Sequence, residues 1–164
     1  MSRLESFIRR LQAQRACLDH AVGLIRDVPG PVLELGLGNG RTYDHLRERL
    51  PQREIYVCDR QVAAHPDCIP PPRFLILGDV RETLPTARAR IRDAVALIHA
   101  DLGSGDAEAN RRQAAELAPL IVGLLRPGGI VVSDQALGAP RLRPLDLPPG
   151  VKPGRYFLYS AIEG

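Results

Sequence analysis

Apolar positions along this chain follow two periods in alternation. Near the N-terminus, Leu4, Phe7, Ile8, Leu11, Leu18, Val22 and Ile25 recur at helical spacing. Ser2 and Glu5 fit a capping box that opens this helix, and the Pro-Gly-Pro run at 29–31 stops it after about Asp27. Short, nearly continuous apolar runs then predict strands over 31–35, 54–59, 73–79, 94–101 and 130–134. A helix over 41–50 ends at Pro51. Asp79 and Glu82 are expected to cap a short helix that Pro85 interrupts. A longer helix carries Leu117, Leu120, Ile121, Leu124 and Leu125 on one face, with Gly128 and Gly129 as its terminating cap. Between the second and third strands, the proline-rich loop AAHPDCIPPPR takes the place of a full crossover helix.

Strands that read as apolar runs, without polar alternation, are those buried on both faces of a parallel sheet. Strands alternating with helices predict an α/β, doubly wound, mostly parallel sheet with helices on both faces. The tail departs from this pattern. Residues 136–154 are rich in proline and glycine, and 155–162 read as a last strand, with 142–147 as its antiparallel hairpin partner. A length of 164 residues fits one domain: an N-terminal helix over 1–28, a core over 30–135, and a loop with terminal strand over 136–164. The first helix lies outside the repeating unit. It is expected either to cover the sheet or to pack on a second subunit.

Composition narrows the function classes. Hydrophobic residues make up 45% and charged residues 25%, as in ordinary globular proteins. No apolar run approaches the ~20 residues of a membrane span, and the N-terminus is charged throughout, so a cytoplasmic address is expected. Net charge is +3, carried almost wholly by arginine, with Lys152 the only lysine. The RRQAAE and ARARIR stretches read as solvated helix faces. Aromatics are only 4% and tryptophan is absent, which argues against a nucleic-acid-binding stripe. Cys17, Cys58 and Cys68 have no ligand-like spacing, so neither a zinc site nor a disulfide framework is expected.

The chemistry concentrates in VLELGLGNGRTYDHL, residues 32–46. Gly36, Gly38 and Gly40 sit at alternate positions between a strand and a helix. Such a loop lets a ligand approach bare backbone, and the following helix offers free N–H groups to an anion. The dinucleotide fingerprint is G-x-G-x-x-G, whereas Arg41 follows Gly40 here and Glu34 precedes Gly36 by two. This E-x-G-x-G-x-G resembles motif I of the class I S-adenosylmethionine-dependent methyltransferases. Asp59, Asp79 and Asp101, ending three further strands, and LLRPGGIVVSD at 124–134 extend the resemblance over roughly 30–135.

The resemblance implies S-adenosyl-L-methionine as cofactor. Glu34, Gly36, Gly38, Asn39, Gly40 and Thr42 would take part in binding it, with Thr42 or Tyr43 either touching its amino-acid end or simply starting the helix. Asp59, with Arg60 beside it, would accept the ribose hydroxyls. Asp79 would meet the adenine amino group and Val80 the ring edge. Asp101 is the catalytic candidate, as base or substrate orienter, for in-line displacement of a methyl group. Each acid also has a plainer reading as a helix cap or turn residue. Asp101, Asp134 and Gln135 resemble the ligand set of the catechol-type metal-dependent enzymes, but Gln135 stands where that family has asparagine, and no metal is assigned. His99, inside an apolar strand, reads as a hydrogen-bonded core residue; His20, His45 and His65 read as surface or loop residues. The Asn-Pro-Pro-aromatic tetrad of amino-methylating enzymes is absent after the fourth strand.

With so short a chain, the substrate pocket must come from the N-terminal helix, the 136–154 loop or another subunit. A small-molecule methyl acceptor and a homo-oligomer are therefore expected. The alternatives are a non-catalytic cofactor-binding protein and a nicotinamide-dependent oxidoreductase.

Overall fold

The computed structural model describes residues 2–91 and 94–163. Arg92, at the end of the ARARIR run, lies outside the described residues. Strands β1 (Val32–Leu35), β2 (Ile55–Asp59), β3 (Leu75–Leu77), β4 (Val95–Ala100), β5 (Leu125–Ser133), β6 (Leu142–Leu145) and β7 (Phe157–Ala161) form one sheet in the order β3-β2-β1-β4-β5-β7-β6. The first five are parallel, β7 runs antiparallel to β5, and β6 antiparallel to β7. The terminal hairpin is thus present. Its Pro144 is tolerated because β6 is the outer strand, where one missing N–H breaks no shared ladder.

Helices α1 (Arg3–Leu24) and α2 (Arg41–Arg49) cover one face, and α3 (Val80–Arg90) and α4 (Ala107–Leu124) the other. Leu33 and Leu35 of β1 point to the α3/α4 side, whereas Val32 packs with Leu18, Ile25 and Leu46 on the α1/α2 side. This two-sided burial is the physical reason the strands lack polar alternation. The β2–β3 connection holds only two short 3₁₀ turns, Pro66–Cys68 and Pro72–Phe74. The β5–β6 connection has no helix either.

Four sequence expectations are corrected. Pro85 does not interrupt α3; the helix runs through it, and the missing N–H leaves only a carbonyl in the exposed first turn without its bond. Gly128 and Gly129 are not the cap of α4, which ends at Leu124 and passes directly into β5. They lie instead in an irregular stretch of β5, where pairing with β4 jumps from Val95↔Leu125 to Leu97↔Ile130. A side chain at Gly129 would sit 2.9 Å from the Arg126 carbonyl, so the bulge requires its absence. Leu120 is 38% exposed rather than on the buried face. In α1, burial begins only at Ala13; Leu4, Phe7 and Ile8 are exposed, so the helix covers the sheet with its second half alone.

That half of α1 belongs to the core. Leu18→Ala should lower unfolding free energy by about 2–5 kcal/mol in denaturant titrations, the usual cost of a buried leucine, whereas Leu4→Ala should be near neutral.

Candidate functional site

The sheet reverses strand order between β1 and β4, and ligands of open parallel sheets bind beyond the carboxyl ends of the strands there. A cleft of about 630 Å³ lies along that edge. Its floor is the glycine loop. Gly40 takes φ +84 at the N-terminus of α2, and a Cβ there would come within 2.5 Å of Cys68 Cβ. Glycine is therefore required where the β2–β3 connection crosses the loop. Gly38 is the opposite case: a Cβ would meet nothing within 4 Å, so its backbone is open to the cleft.

Asp59 holds this loop in place. Its Oδ2 accepts the Leu37 N–H at 2.7 Å and the Gly38 N–H at 3.1 Å, while Oδ1 accepts from the Arg60 N–H at 2.5 Å. Asp79 caps α3 by accepting the Arg81 N–H at 3.0 Å, and its other oxygen accepts from Arg60 Nη2 at 3.1 Å. The Arg81 backbone bond first, and then the Arg60 and Arg81 charges, hold its carboxyl below the usual range. The capping prediction for Asp79 is met. Glu82 contributes only its backbone N–H to the Asp79 carbonyl.

Glu34 does not line the cleft. It is fully buried beneath the glycine loop, where it accepts a hydrogen bond from the Thr42 hydroxyl and pairs with His99 Nδ1 at 2.8 Å. Glu34 and His99 are register partners on β1 and β4, which explains their meeting across 65 residues. Burial, the largest influence, pulls the His99 pKa down. The Glu34 charge and hydrogen bond, with Asp101 and Asp134 further off, together carry it above its ordinary value.

Asp101 sits at the end of β4 and does not cap α4; Asp106 does. The Asp101 carboxylate instead accepts Arg10 Nη2 at 2.8 and 3.1 Å and Gln14 Nε2 at 2.8 Å, both from α1. Beside it, Asp134 accepts the Gly103 N–H at 2.9 Å, the Leu102 N–H at 3.3 Å and Gln135 Nε2 at 3.2 Å. Burial, then the Asp101 charge, pushes the Asp134 carboxyl above its usual range. The Gln135 amide is directed at Asp134, and among the described residues no three His, Cys, Asp or Glu side chains converge in a metal-binding group. Cys58 lines the cleft, but burial first of all pushes its thiol up to about 11, so it is no thiolate nucleophile.

Of the residues singled out from sequence, Gly36, Gly38, Asn39, Thr42, Asp59, Arg60, Val80 and Asp101 line the cleft. Glu34, Gly40 and Asp79 stand behind it, acting through Thr42, the loop and Arg60. Sequence reasoning named the N-terminal helix as one source of the pocket but did not single out Phe7, Arg10, Leu11 and Gln14 of α1, which also line it. One signal was available: Gln14 is a polar residue in register with Leu11 and Leu18 on an otherwise apolar helical face.

A family model described as S-adenosyl-L-methionine methyltransferase matches residues 1–161. The chain belongs to this family. A crystal structure of an S-adenosyl-L-methionine methyltransferase from Silicibacter pomeroyi DSS-3 is 50% identical, covers 98% of this chain and 99% of its own, and superposes with a TM-score of 0.92. Human methyltransferase-like protein 13 in complex with SAH shares the fold at 13% identity, TM-score 0.60, over 93% of this chain and 82% of that one. TrmN from Thermus thermophilus does so at 22% identity and TM-score 0.57, over 87% and 48%. Among curated proteins none matches the sequence. The methyltransferase is an S-adenosylmethionine-dependent enzyme with a doubly wound fold, and the nicotinamide alternative falls with the family match. Among the described residues no helix is long and apolar enough to cross a membrane.

The donor set fits this cofactor: a cleft-facing carboxylate at the end of β2, a bare loop at Gly38, and an apolar wall at Val80. The Glu34–His99 pair beneath it makes a stability prediction. Glu34→Ala should cost about 3–5 kcal/mol by leaving His99 without its buried partner. Because the folded His99 pKa is raised, its contribution is fully present below the unfolded value near 6.5 and is lost as pH rises through the folded value. Denaturant midpoints should therefore fall across that interval in the native enzyme, and this part of the slope should vanish in His99→Gln.

Proposed function

We propose that this methyltransferase acts on a small-molecule acceptor, works as a homo-oligomer, and resides in the cytoplasm. The observation that supports the small-acceptor reading is the cleft: a half-open strip along the ends of β3, β2, β1 and β4, walled by α1. Among the described residues there is no second unit to grip a polymer. Exposed Leu4 and Ile8 on α1 support a subunit contact, and three free cysteines support a reducing compartment.

S-Adenosylmethionine, when bound, supplies a methyl group already activated by the sulfonium charge. The protein's work is then to hold, align and desolvate the reactants. Asp59 accepts the ribose hydroxyls, which share its carboxylate with the loop amides and replace the long 3.4 Å bond from the Gln61 N–H. Val80 lies against the adenine edge, and Asp79, braced by Arg60, accepts from the adenine amino group. The open backbone at Gly36, Gly38 and Asn39, with Thr42, takes the amino-acid end. Gly40 shapes the loop and Glu34 braces it from below. Asp101, at the far end of the cleft from Asp79, orients the acceptor at the methyl end. Its three hydrogen bonds from Arg10 and Gln14 of α1 favour that role over a free general base.

Calorimetric titration with S-adenosylmethionine and S-adenosylhomocysteine tests the cofactor roles. Asp59→Ala should weaken both ligands by at least about tenfold, the scale of a lost charge-assisted hydrogen bond. Asp79→Ala should weaken them by a smaller factor. Unchanged affinity in Asp59→Ala would remove that residue from the site.

A further inference from the structure

We propose that the α1 face carrying Phe7, Arg10, Leu11 and Gln14 is the acceptor-recognition surface, and that it selects a small acceptor with a carboxylate gripped by Arg10 and an apolar body laid on Phe7 and Leu11. This inference rests on the methyltransferase reading of the cleft and specifies its substrate class.

The four positions follow i, i+3, i+4, i+7 spacing, so they form one stripe on the helix, and all four line the cleft. Strand order gives the stripe its place. Asp79, the proposed adenine end, follows β3 at one edge of the sheet, while α1 packs on β4 and β5. The stripe therefore stands at the end of the cleft away from Asp79, beside Asp101.

The apolar part of the stripe stands outside the two buried core clusters, with Leu11 half-buried and Phe7 exposed. Core burial in α1 begins at Ala13, and Phe7 is 45% exposed. Around and ahead of that point the helix is held by polar bonds: Gln14 and Arg10 to Asp101, and Arg155 to Ser6. A phenyl ring kept at a cleft wall by such tethers offers apolar area to a ligand that covers it.

The charged part is preorganised. Both bonds from Arg10 to Asp101 leave through Nη2, which fixes the guanidinium against the cleft wall. Arg10 also engages the buried Tyr156 hydroxyl, with Asp134 further off, so its guanidinium is steadied from more than one side while its side chain stays 44% exposed. The guanidinium edge left exposed at the cleft offers N–H donors to an incoming carboxylate. Asp101 acts here as a positioning residue, removing the orientational freedom that binding would otherwise have to overcome. Arg60 and Arg81, which also line the cleft, are engaged by Asp79 and Glu116 at the proposed adenine end, so recognition of an anionic acceptor falls to Arg10.

The test uses the full chain saturated with S-adenosylhomocysteine and two probes of one skeleton, phenylacetate and phenylacetamide, titrated calorimetrically. Phenylacetate should bind at least about tenfold more tightly than the amide. Arg10→Gln should bring the two within about twofold of each other while S-adenosylhomocysteine affinity stays within about threefold, and Arg10→Lys should restore part of the preference. Phe7→Ala should weaken both probes alike. A purely structural role for Arg10 would instead lower thermal stability and leave the ratio of the two probes unchanged. Equal binding of the probes, no phenylacetate binding up to roughly 10 mM, or a preference that survives Arg10→Gln would overturn the inference. Failure of S-adenosylhomocysteine to bind the intact chain is a separate, prior readout, and it would sink the cofactor reading together with this one.

Discussion

The Asp59 carboxylate accepts two amides from the glycine loop and two from its own following turn, and the geometry of the cleft descends from those bonds. A loop with three glycines in five residues has a large conformational entropy to lose. Parallel pairing of β1 with β2 brings Asp59 to the loop, and the carboxylate then fixes which way the loop amides point. The residue proposed to hold the ribose is thus also the residue that builds the surface on which the rest of the cofactor lies. Binding and loop order are coupled through one side chain.

A second layer of charge supports this arrangement from below. Glu34 and His99 are buried together under the loop, and Glu34 also takes the Thr42 hydroxyl at the start of α2. A lone carboxylate at that depth would be strongly destabilising, so the imidazole and hydroxyl are conditions for Glu34 to exist there. The consequence is positional. Strand β1, strand β4 and helix α2 meet at one hydrogen-bonded point directly beneath the loop, and relative movement among them would leave a buried charge unpaired.

The far end of the cleft depends on α1. Two connections that could carry helices, β2–β3 and β5–β6, have none, so the α1/α2 face would be thinly covered. The second half of α1 supplies that cover, with Cys17, Leu18 and Ala21 in the core. Its first half extends beyond the core, and Asp101 draws it to the cleft edge. One helix therefore does two jobs, separated along its length at Ala13.

Local patterning was enough for much of this protein. Apolar runs without alternation can satisfy burial only between two helical layers, so the parallel sheet followed from composition along the strands. The glycine spacing and the acids at strand ends are local features too, and eight of the residues they marked line the cleft. Other matters were decided by partners distant in the chain. Glu34 reads as a cleft residue until His99, 65 positions away, is set beside it in register. Gly128 and Gly129 read as a helix cap until β4 imposes a bulge on β5. Asp101 reads as a cap or a base until Arg10 and Gln14 cross 91 and 87 residues to reach it. Sequence determines which backbone conformations and which faces are affordable locally. Which polar group satisfies which across the fold is set by register and packing, and only the tertiary structure decides that.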